Sequence, residues 1–232
     1  MDWNRELMEK PLWKEEIKNR EQKEAIARKI AKRVQNGDVI GFGSGSTSYL
    51  TVIEIAKKCE EENIKITAIP TSKEIEMLCS YLNIPTASIM EKKPDWCFDG
   101  ADEVDHDNWM IKGRGAAMFK EKLNIKTSAK TYILIDDSKV VNTLGTSFPV
   151  PVEIYPNAAF YVKEELYKLG ANRQNVRQAL KKDGPVITEN GNIIIDVYFD
   201  NITPDLERRI KEITGVVESG LFIGYNVEIV KD

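Results

Sequence analysis

The sequence VIGFGSGST at residues 39–47 decides the fold, because a short apolar run passes through a glycine–serine loop into a helical stretch, Tyr49–Cys59. The apolar run predicts a buried strand. Glycines let the backbone approach an anion closely, and N–H groups at a helix start favour a phosphate. The glycine spacing matches neither the dinucleotide nor the Walker motif. A tight turn without a ligand is the alternative.

The same order of strand, loop and helix recurs through the first part of the chain. A helix is predicted from about Lys14 to Asn36-Gly37, since Ile26, Ile30 and Val34 recur every four residues. Further elements are predicted as strands at 64–69, 96–98 and 132–135 and a helix at 73–82. This alternation predicts an α/β fold with a doubly wound, mostly parallel sheet.

After Phe148 the pattern changes. Prolines mark a junction, and the elements predicted beyond it are a helix at 158–169, a hairpin of strands 185–188 and 193–197 turning at Asn190-Gly191, and a helix with Thr203 as N-cap and Pro204 in its first position. The predicted organisation is a first domain at 1–148, a small α+β domain at 149–213, and a segment at 214–232 that returns to the first domain as closing strands.

The composition is that of an ordinary globular protein, with 42% hydrophobic residues, 30% charged residues and a net charge of −4. So small an acidic excess argues against a nucleic-acid partner. No apolar run approaches the ~18 residues that cross a bilayer, which argues against a membrane protein. The N-terminus lacks a signal-peptide pattern, and the three cysteines form no CxxC pair. We therefore expect a cytoplasmic protein with reduced thiols.

Small, hydroxylic or charged residues follow four of the predicted strands. They are SGST at 44–47, TS at 71–72, DGADE at 99–103 and DSK at 137–139. Ligands of open α/β sheets bind beyond the carboxyl ends of the strands, so the site is predicted there. His106 is the only histidine, so we expect proton chemistry to rest on carboxylates and lysines.

The acidic run concentrates three carboxylates within five residues, at Asp99, Asp102 and Glu103. Acids crowded at a strand end can share proton transfer or bind sugar hydroxyls. One alternative is a solvated acidic turn, the usual fate of a charge cluster. A divalent-metal site is the weaker alternative, because the spacing is not that of a calcium loop and one histidine offers little to zinc.

The third motif, KGRGAAMFKEK at residues 112–122, places a lysine and two glycines before a helix. The backbone donors of the first turn, together with Lys112, suit an oxyanion. Glu121 lies one turn beyond Ala117 and Met118 on a small, apolar face, which makes it a candidate general base. From these residues alone, an exposed, salt-bridged glutamate at a helix start is the favoured alternative.

The segments GFGSGST, TS, DGADE, KGRGAAMFKEK, DDSK, PVPVE and GLF, in this order and spacing, resemble ribose-5-phosphate isomerase of the A type. The resemblance runs from about Lys23 to the C-terminus. It implies a Rossmann-like domain with an inserted ferredoxin-like lid, and an aldose–ketose isomerase that interconverts ribose 5-phosphate and ribulose 5-phosphate. It also implies no metal, no cofactor, and a homodimer or larger homo-oligomer.

The resemblance assigns roles by position. Glu121 matches the base that shuttles the proton. Asp99 and Asp102 match the acidic pair that handles ring opening and the C1 and C2 oxygens, and Lys112 matches the cation that stabilises the enediolate. The remaining positions match substrate-binding residues: Ser44, Gly45, Ser46, Thr47, Gly100, Ala101, Gly113, Arg114, Gly115, Lys139 and, in a looser alignment, Lys23.

Three features depart from the family pattern. Ser44 stands where threonine is usual, Arg114 replaces a glycine, and an N-terminal extension precedes the matching helix. We expect the Arg114 side chain to point to solvent. Two other functions stay open: a phosphosugar sensor, which needs neither Glu121 nor Lys112, and a coenzyme A transferase-like enzyme, which uses a glutamate nucleophile.

Overall fold

The computed structural model describes Trp13 and residues 16–232. Most of the N-terminal extension and the predicted helix start at Lys14 lie outside the described residues. The helices are α1 (Arg20–Ala31), α2 (Ser46–Glu62), α3 (Lys73–Tyr81), α4 (Met118–Thr127), α5 (Ala159–Lys168) and α6 (Leu206–Lys211). None of the described helices is long and apolar enough to cross a membrane.

The strands are short, and several hold only two residues. They are β1 (Val39–Phe42), β2 (Thr67–Pro70), β3 (Trp96–Gly100), β4 (Glu103–Val104), β5 (Met110–Ile111), β6 (Lys130–Leu134), β7 (Val150–Ile154), β8 (Ala171–Val176), β9 (Ile193–Phe199), β10 (Val216–Ser219), β11 (Leu221–Phe222) and β12 (Glu228–Val230).

The chain divides into two compact units, and neither is continuous in sequence. The first unit comprises the described residues up to Gly100, Lys120–Ser138 and Asn226–Asp232. The second comprises Ala101–Phe119 and Lys139–Tyr225. These divisions differ from the predicted boundaries at 148 and 213, because the chain passes four times from one unit to the other.

Five parallel strands form the sheet of the first unit, in the order β12-β6-β3-β1-β2. The chain places β2 on one side of β1 and then crosses to β3 on the other side. This reversal makes a switch point between β1 and β3, outside which ligands of such sheets bind. The predicted α/β fold with a parallel, doubly wound sheet is confirmed.

The core of the first unit packs α1 and the sheet together. Ile26 and Ile30 are fully buried with Phe42 of β1 and Phe98 of β3, whose ring centroids lie 5.0 Å apart. The four-residue repeat thus marks the buried face of α1, as predicted.

The predicted end of α1 at Asn36-Gly37 is wrong, since the helix ends at Ala31. Arg33 and Val34 donate to carbonyls three residues back, so the chain continues as tight turns. Val34 therefore stays buried after the α-helix has ended, which explains why the apolar repeat overshoots it.

The main sheet of the second unit is antiparallel, with the order β10-β7-β9-β8. Its elements follow one another as β7-α5-β8-β9-α6-β10, which is the β-α-β-β-α-β order of ferredoxin-like folds. A three-stranded sheet, β11-β5-β4, lies in the same unit. Of the three C-terminal strands, only β12 joins the parallel sheet, so the return predicted for 214–232 is limited to the residues after Tyr225.

Two elements of the second unit escaped prediction. β7 contains Pro151, which the sequence pattern assigned to a junction. The proline carbonyl still accepts from the Gly220 N–H at 2.7 Å, so the strand keeps one side of its pairing. β8 is a polar edge strand, and its buried Gln174 donates to the Lys163 carbonyl rather than filling an apolar core.

Two further predictions are wrong in this unit. Residues 185–188 are no strand, and only two isolated antiparallel bridges involve them, Gln178 with Pro185 and Ile187 with Ile193. α6 begins at Leu206 rather than at Pro204, since the Thr203 hydroxyl donates to the Asp205 carboxylate at 2.6 Å instead of capping the helix backbone.

Candidate active site

The hydroxyl loop Ser44–Thr47 lies where β1 passes into α2. Gly45 stands at the cap position with a φ of 89°, a region that favours glycine. No side chain in the described chain caps α2, and its first turn holds no acidic residue. The N–H groups and the positive end of the helix dipole are therefore available to an anion.

The side chain of Lys23, in α1, is buried and extends to this loop. Its side chain is 8% exposed, and its Nζ donates to the Ser46 hydroxyl at 3.1 Å. The same Nζ lies 3.5 Å from Oδ2 of Asp136, the residue two beyond the end of β6. Asp136 thereby directs the lysine charge at the loop.

Asp136 is in turn fixed by several donors. Asn19 Nδ2 donates to its Oδ1 at 3.1 Å, and the Ser138 N–H and hydroxyl donate to the same oxygen. Burial acts to raise the pKa of Asp136, but the hydrogen bonds from Ser138 and Asn19 and the charge of Lys23 prevail and lower it. The carboxylate is therefore charged over the physiological pH range.

Glu121 lies in the first turn of α4 and is 4% exposed. The Ser44 hydroxyl donates to its Oε1 at 2.6 Å. The Glu121 side chain is therefore not exposed, contrary to the alternative of an exposed glutamate at a helix start. A buried carboxylate that accepts a hydroxyl hydrogen bond is held in one orientation and can act as a proton acceptor.

Asp99 ends the buried part of β3 and is 2% exposed. Its Oδ1 accepts from the Gly100 N–H at 2.8 Å. A Cβ at Gly43 would lie 2.2 Å from the same oxygen, so only glycine lets the loop after β1 pass so close. β1 and β3 flank the switch point, which brings Asp99 to the position where the fold predicts a ligand.

The loop Gly113–Ala116 of the second unit is tightly turned. Gly113 has a φ of 106°, and a Cβ there would lie 2.7 Å from Cε of Met118. The Ala116 N–H donates to the Gly113 carbonyl, and Ala116 itself has a φ of 59°. The Asp102 carboxylate accepts from the Arg114 N–H at 3.0 Å. Asp102 thus holds the loop through its backbone, while the residue Arg114 is exposed.

Lys112 immediately follows β5 and is 2% exposed. Its N–H donates to the Gly220 carbonyl at 2.9 Å. Its Nζ lies 5.6 Å from the centroid of the Phe222 ring, in cation–π range. The lysine backbone and side chain are therefore both held by the segment that carries β11.

Lys139 and Glu103 belong to a second cluster of the same unit. The Lys139 Nζ lies 5.2 Å above the Phe148 ring. Glu103 is fully buried and accepts from the N–H groups of Gly145, Ser147 and Phe148 at 2.5–2.9 Å. Glu103 therefore shapes the loop beneath Lys139 and does not share in an acidic cluster.

The acidic run of the sequence thus separates into different roles. Asp99 and Glu103 are buried, contrary to the solvated-turn alternative, whereas Asp105 beyond the run accepts from the N–H groups of Asp107 and Trp109 and forms a turn. Among the described residues, no group of three histidine, cysteine, aspartate or glutamate side chains could hold a metal ion.

Within each unit, the structure brings predicted residues together. The first unit gathers Lys23, the loop Ser44–Thr47, Asp99 and Glu121. In the second unit Asp102 and the loop Gly113–Gly115 lie together. The sequence reasoning missed two residues that position these groups: Asp136, which binds Lys23, and Arg177, which binds the carbonyls of the loop Gly113–Gly115. Asp136 had a signal, since it ends a predicted strand, whereas Arg177 had none.

A carboxylate buried against a hydroxyl donor, beside a helix start without a side-chain cap at a sheet's switch point, is typical of α/β enzymes that transfer protons on small anionic substrates. The chain is an enzyme of this class. Its residues 67–231 match the model of the family described as ribose 5-phosphate isomerase A (phosphoriboisomerase A). The chain belongs to this family of isomerases, whose members interconvert ribose 5-phosphate and ribulose 5-phosphate.

Curated relatives and solved structures of this family are similar to the chain over most of its length. Ribose-5-phosphate isomerase A of Synechococcus sp. is 41% identical over 206 residues, covering 87% of this chain and 88% of the relative. The structure of the Methanocaldococcus jannaschii enzyme has a TM-score of 0.87 and 38% identity, covering 91% of this chain and 94% of that chain. A D-ribose-5-phosphate isomerase solved with phospho-erythronic acid has a TM-score of 0.87 and 36% identity, covering 92% and 95%.

Proposed function

We propose that the chain interconverts ribose 5-phosphate and ribulose 5-phosphate through an enediolate, with Glu121 as the base. Glu121 removes the proton from C2 of the open-chain aldose, the C–H electrons form the C1–C2 double bond, and negative charge develops on O1. The proton then returns to C1, and the O2 proton moves to O1. The observation that carries this proposal is the buried carboxylate with one oxygen fixed by Ser44.

The phosphate of the substrate is assigned to the loop Ser44–Thr47. The start of α2 supplies N–H donors, and Lys23 supplies a buried positive charge aimed at Ser46. A relative solved with phospho-erythronic acid supports an acidic, phosphorylated ligand. Binding the phosphate away from the reacting carbons fixes the orientation of the sugar. Lys139 is proposed as a further substrate-binding cation.

Asp99 and Asp102 are proposed to handle ring opening and the C1 and C2 oxygens, together with the backbone of Gly100 and Ala101. Lys112 and the loop Gly113–Gly115 are proposed to stabilise the enediolate, because a cation and amide donors that are already in place favour developing negative charge. The support is the family resemblance and the tight anchoring of both Lys112 and the loop.

Isotope exchange with Glu121→Gln tests the proposed function. The variant keeps the side chain's shape but cannot accept the proton, so it should bind ribose 5-phosphate almost normally while kcat falls at least ~10²–10⁴-fold. Solvent deuterium should enter C2 of recovered ribose 5-phosphate with the wild type and not with the variant. Glu62→Gln, an exposed glutamate of α2, is the control.

A variant that isomerises at a near-normal rate would remove Glu121 from the role of base. If the wild type binds ribose 5-phosphate without producing ketose, the chain is a sensor. If the wild type gives a covalent glutamyl thioester with an acyl-coenzyme A, a transferase reaction replaces the proposal.

We also propose that the reaction needs no metal and no cofactor, because Lys112 can supply the positive charge. Full activity after exhaustive EDTA treatment is expected, and activity restored only by magnesium or manganese would contradict it.

The ferredoxin-like part of the second unit is proposed to serve as a lid. Free cysteines at 59, 79 and 97 support a cytoplasmic location.

A homodimer is proposed for the chain in solution. Its support is the aromatic surface of α5, where Phe160 is 91% exposed and Tyr161 and Tyr167 are half exposed. Apolar surface of this kind favours association between copies. Light scattering during gel filtration measures the mass directly, and a monomeric mass would contradict the proposal.

A further inference from the structure

The loop Gly113–Gly115 supplies the backbone amides that are proposed above to stabilise the enediolate. Two of its three residues are glycine, which allows the backbone many conformations. The orientation of its peptide planes must therefore be fixed by contacts with other residues. Asp102 binds the Arg114 N–H from one side.

Arg177 binds the loop through the carbonyls of the same peptides. Its Nη1 donates to the Gly113 carbonyl at 2.8 Å and to the Arg114 carbonyl at 3.0 Å. The peptide bonds are trans, so the N–H of each unit points opposite to its carbonyl. Arg177 thus turns the N–H groups of Arg114 and Gly115 away from itself, and the first of these meets Asp102.

Asp196 fixes the guanidinium of Arg177 in place. The Asp196 carboxylate accepts from Nε at 2.9 Å and from Nη2 at 2.5 Å, which is the two-point geometry that only arginine supplies. Both side chains are about one-sixth exposed, at 16% and 17%. All three guanidinium nitrogens are therefore bound, two by Asp196 and one by the loop.

Arg177 and Asp196 are both anchored in the hydrogen-bonded ladder of β8 and β9. Asp196 lies in the middle of β9 and pairs with Asn175 of β8. Arg177 follows the end of β8, and its N–H continues the ladder by donating to the Ile194 carbonyl at 2.9 Å. A side chain anchored in this way can hold a glycine-rich loop at a fixed position.

We propose that Arg177, held by Asp196, is a positioning residue that fixes the peptide planes of Gly113 and Arg114 for the isomerisation. The role of the loop amides in catalysis rests on the proposed function above. The anchoring of the loop by Arg177 does not depend on the proposed function, because it follows from the hydrogen bonds described above.

Kinetics of Arg177→Met test the proposal, with Arg173→Met as the matched control. Arg173 lies in β8 and stacks on the Tyr198 ring, 3.7 Å from its centroid. Arg177→Met should lower kcat roughly 10–100-fold with KM changed less than about threefold, since a displacement of about 1 Å can cost about 10²-fold. Arg173→Met should leave kcat unchanged. Asp196→Asn keeps the arginine and should give a smaller fall in kcat.

Chemical rescue separates positioning from a general loss of structure. Guanidinium at millimolar concentration should restore part of kcat to Arg177→Ala, because it can bind Asp196 and the two carbonyls. It should restore nothing to a Glu121→Gln variant. An Arg177→Met variant with normal kcat, or an Arg177→Ala variant that guanidinium cannot rescue while its melting temperature is unchanged, overturns the proposal.

Amide hydrogen exchange measures the anchoring without turnover. Residues 113–116 should exchange at least ~10-fold faster in Arg177→Met than in the wild type, and Arg173→Met should match the wild type. Unchanged exchange of this loop overturns the inference. A wild type that exchanges as expected but does not isomerise ribose 5-phosphate overturns the proposed function instead.

Discussion

The Ser44 hydroxyl donates to Oε1 of Glu121 at 2.6 Å, and this bond joins the loop after β1 to the first turn of α4. The two residues are 77 positions apart in sequence. One oxygen of the carboxylate is thereby held in place. The loop assigned to substrate binding therefore also orients the group proposed as the base.

Replacing Ser44 should change the rate more than the binding. Ser44→Ala removes the donor, and a hydrogen bond to a charged group contributes about 1.5–3 kcal/mol, so kcat should fall roughly 10–100-fold. Ser44→Thr keeps the hydroxyl and should stay within about threefold of the wild type. Steady-state kinetics of both variants check this, and an Ala variant with normal kcat would show that Glu121 is oriented by other contacts.

Asp136→Asn should destabilise the protein in a pH-dependent way. The folded pKa of Asp136 lies below its unfolded value, so its stabilisation is fully present above about pH 3.9 and is lost as the pH falls through the folded pKa. Urea unfolding at pH 7 should show a free energy of unfolding about 1–3 kcal/mol below the wild type. This difference should shrink below pH 4, and an equal difference at pH 7 and pH 3 would assign it to shape rather than charge.

Lys139→Ala should chiefly raise KM for ribose 5-phosphate. A substrate contact of equal strength in the ground and transition states changes KM and leaves kcat intact. Lys130 is a matched control, because its Nζ also lies above an aromatic ring, 4.9 Å from the Tyr132 centroid. Lys130→Ala should leave KM unchanged. A large fall in kcat with normal KM would place Lys139 in transition-state stabilisation.

Arg114→Gly should be nearly silent in kinetics. The residue is exposed, and its bonds to Asp102 and Arg177 use only the backbone N–H and carbonyl, which glycine retains. Both kcat and KM should stay within about twofold. A KM raised tenfold for the anionic substrate would show that the guanidinium contributes to binding.

Much of the first unit could be predicted from its sequence, because most strands of the parallel sheet lie in short apolar runs that are followed by small or polar residues. β3 illustrates this, since its apolar residues stop at Phe98 and Asp99 begins the polar segment. β8 could not be predicted. It is a half-exposed edge strand, and its polar residues lack both the alternation and the β-branched side chains that mark strands.

The residue types of the site could be predicted, but not the groups that hold them. Glu121, Asp99 and Lys112 lie in recognisable motifs, and all three are buried. Arg177 lies more than 60 positions from the loop it binds, in a segment without a motif. Long-range contacts of this kind depend on tertiary packing, which local sequence patterns do not encode.

The pairings of β11 and β12 have a consequence for how the molecule reaches its native state. β12 completes the parallel sheet beside β6, and β11 pairs with β5, each across almost a hundred residues or more of intervening chain. Closing such long loops costs entropy before any contact rewards it, which slows folding. Both units include strands from the same C-terminal stretch, so neither unit can fold completely before that stretch is in place. The protein should therefore unfold in a single calorimetric transition although it has two cores.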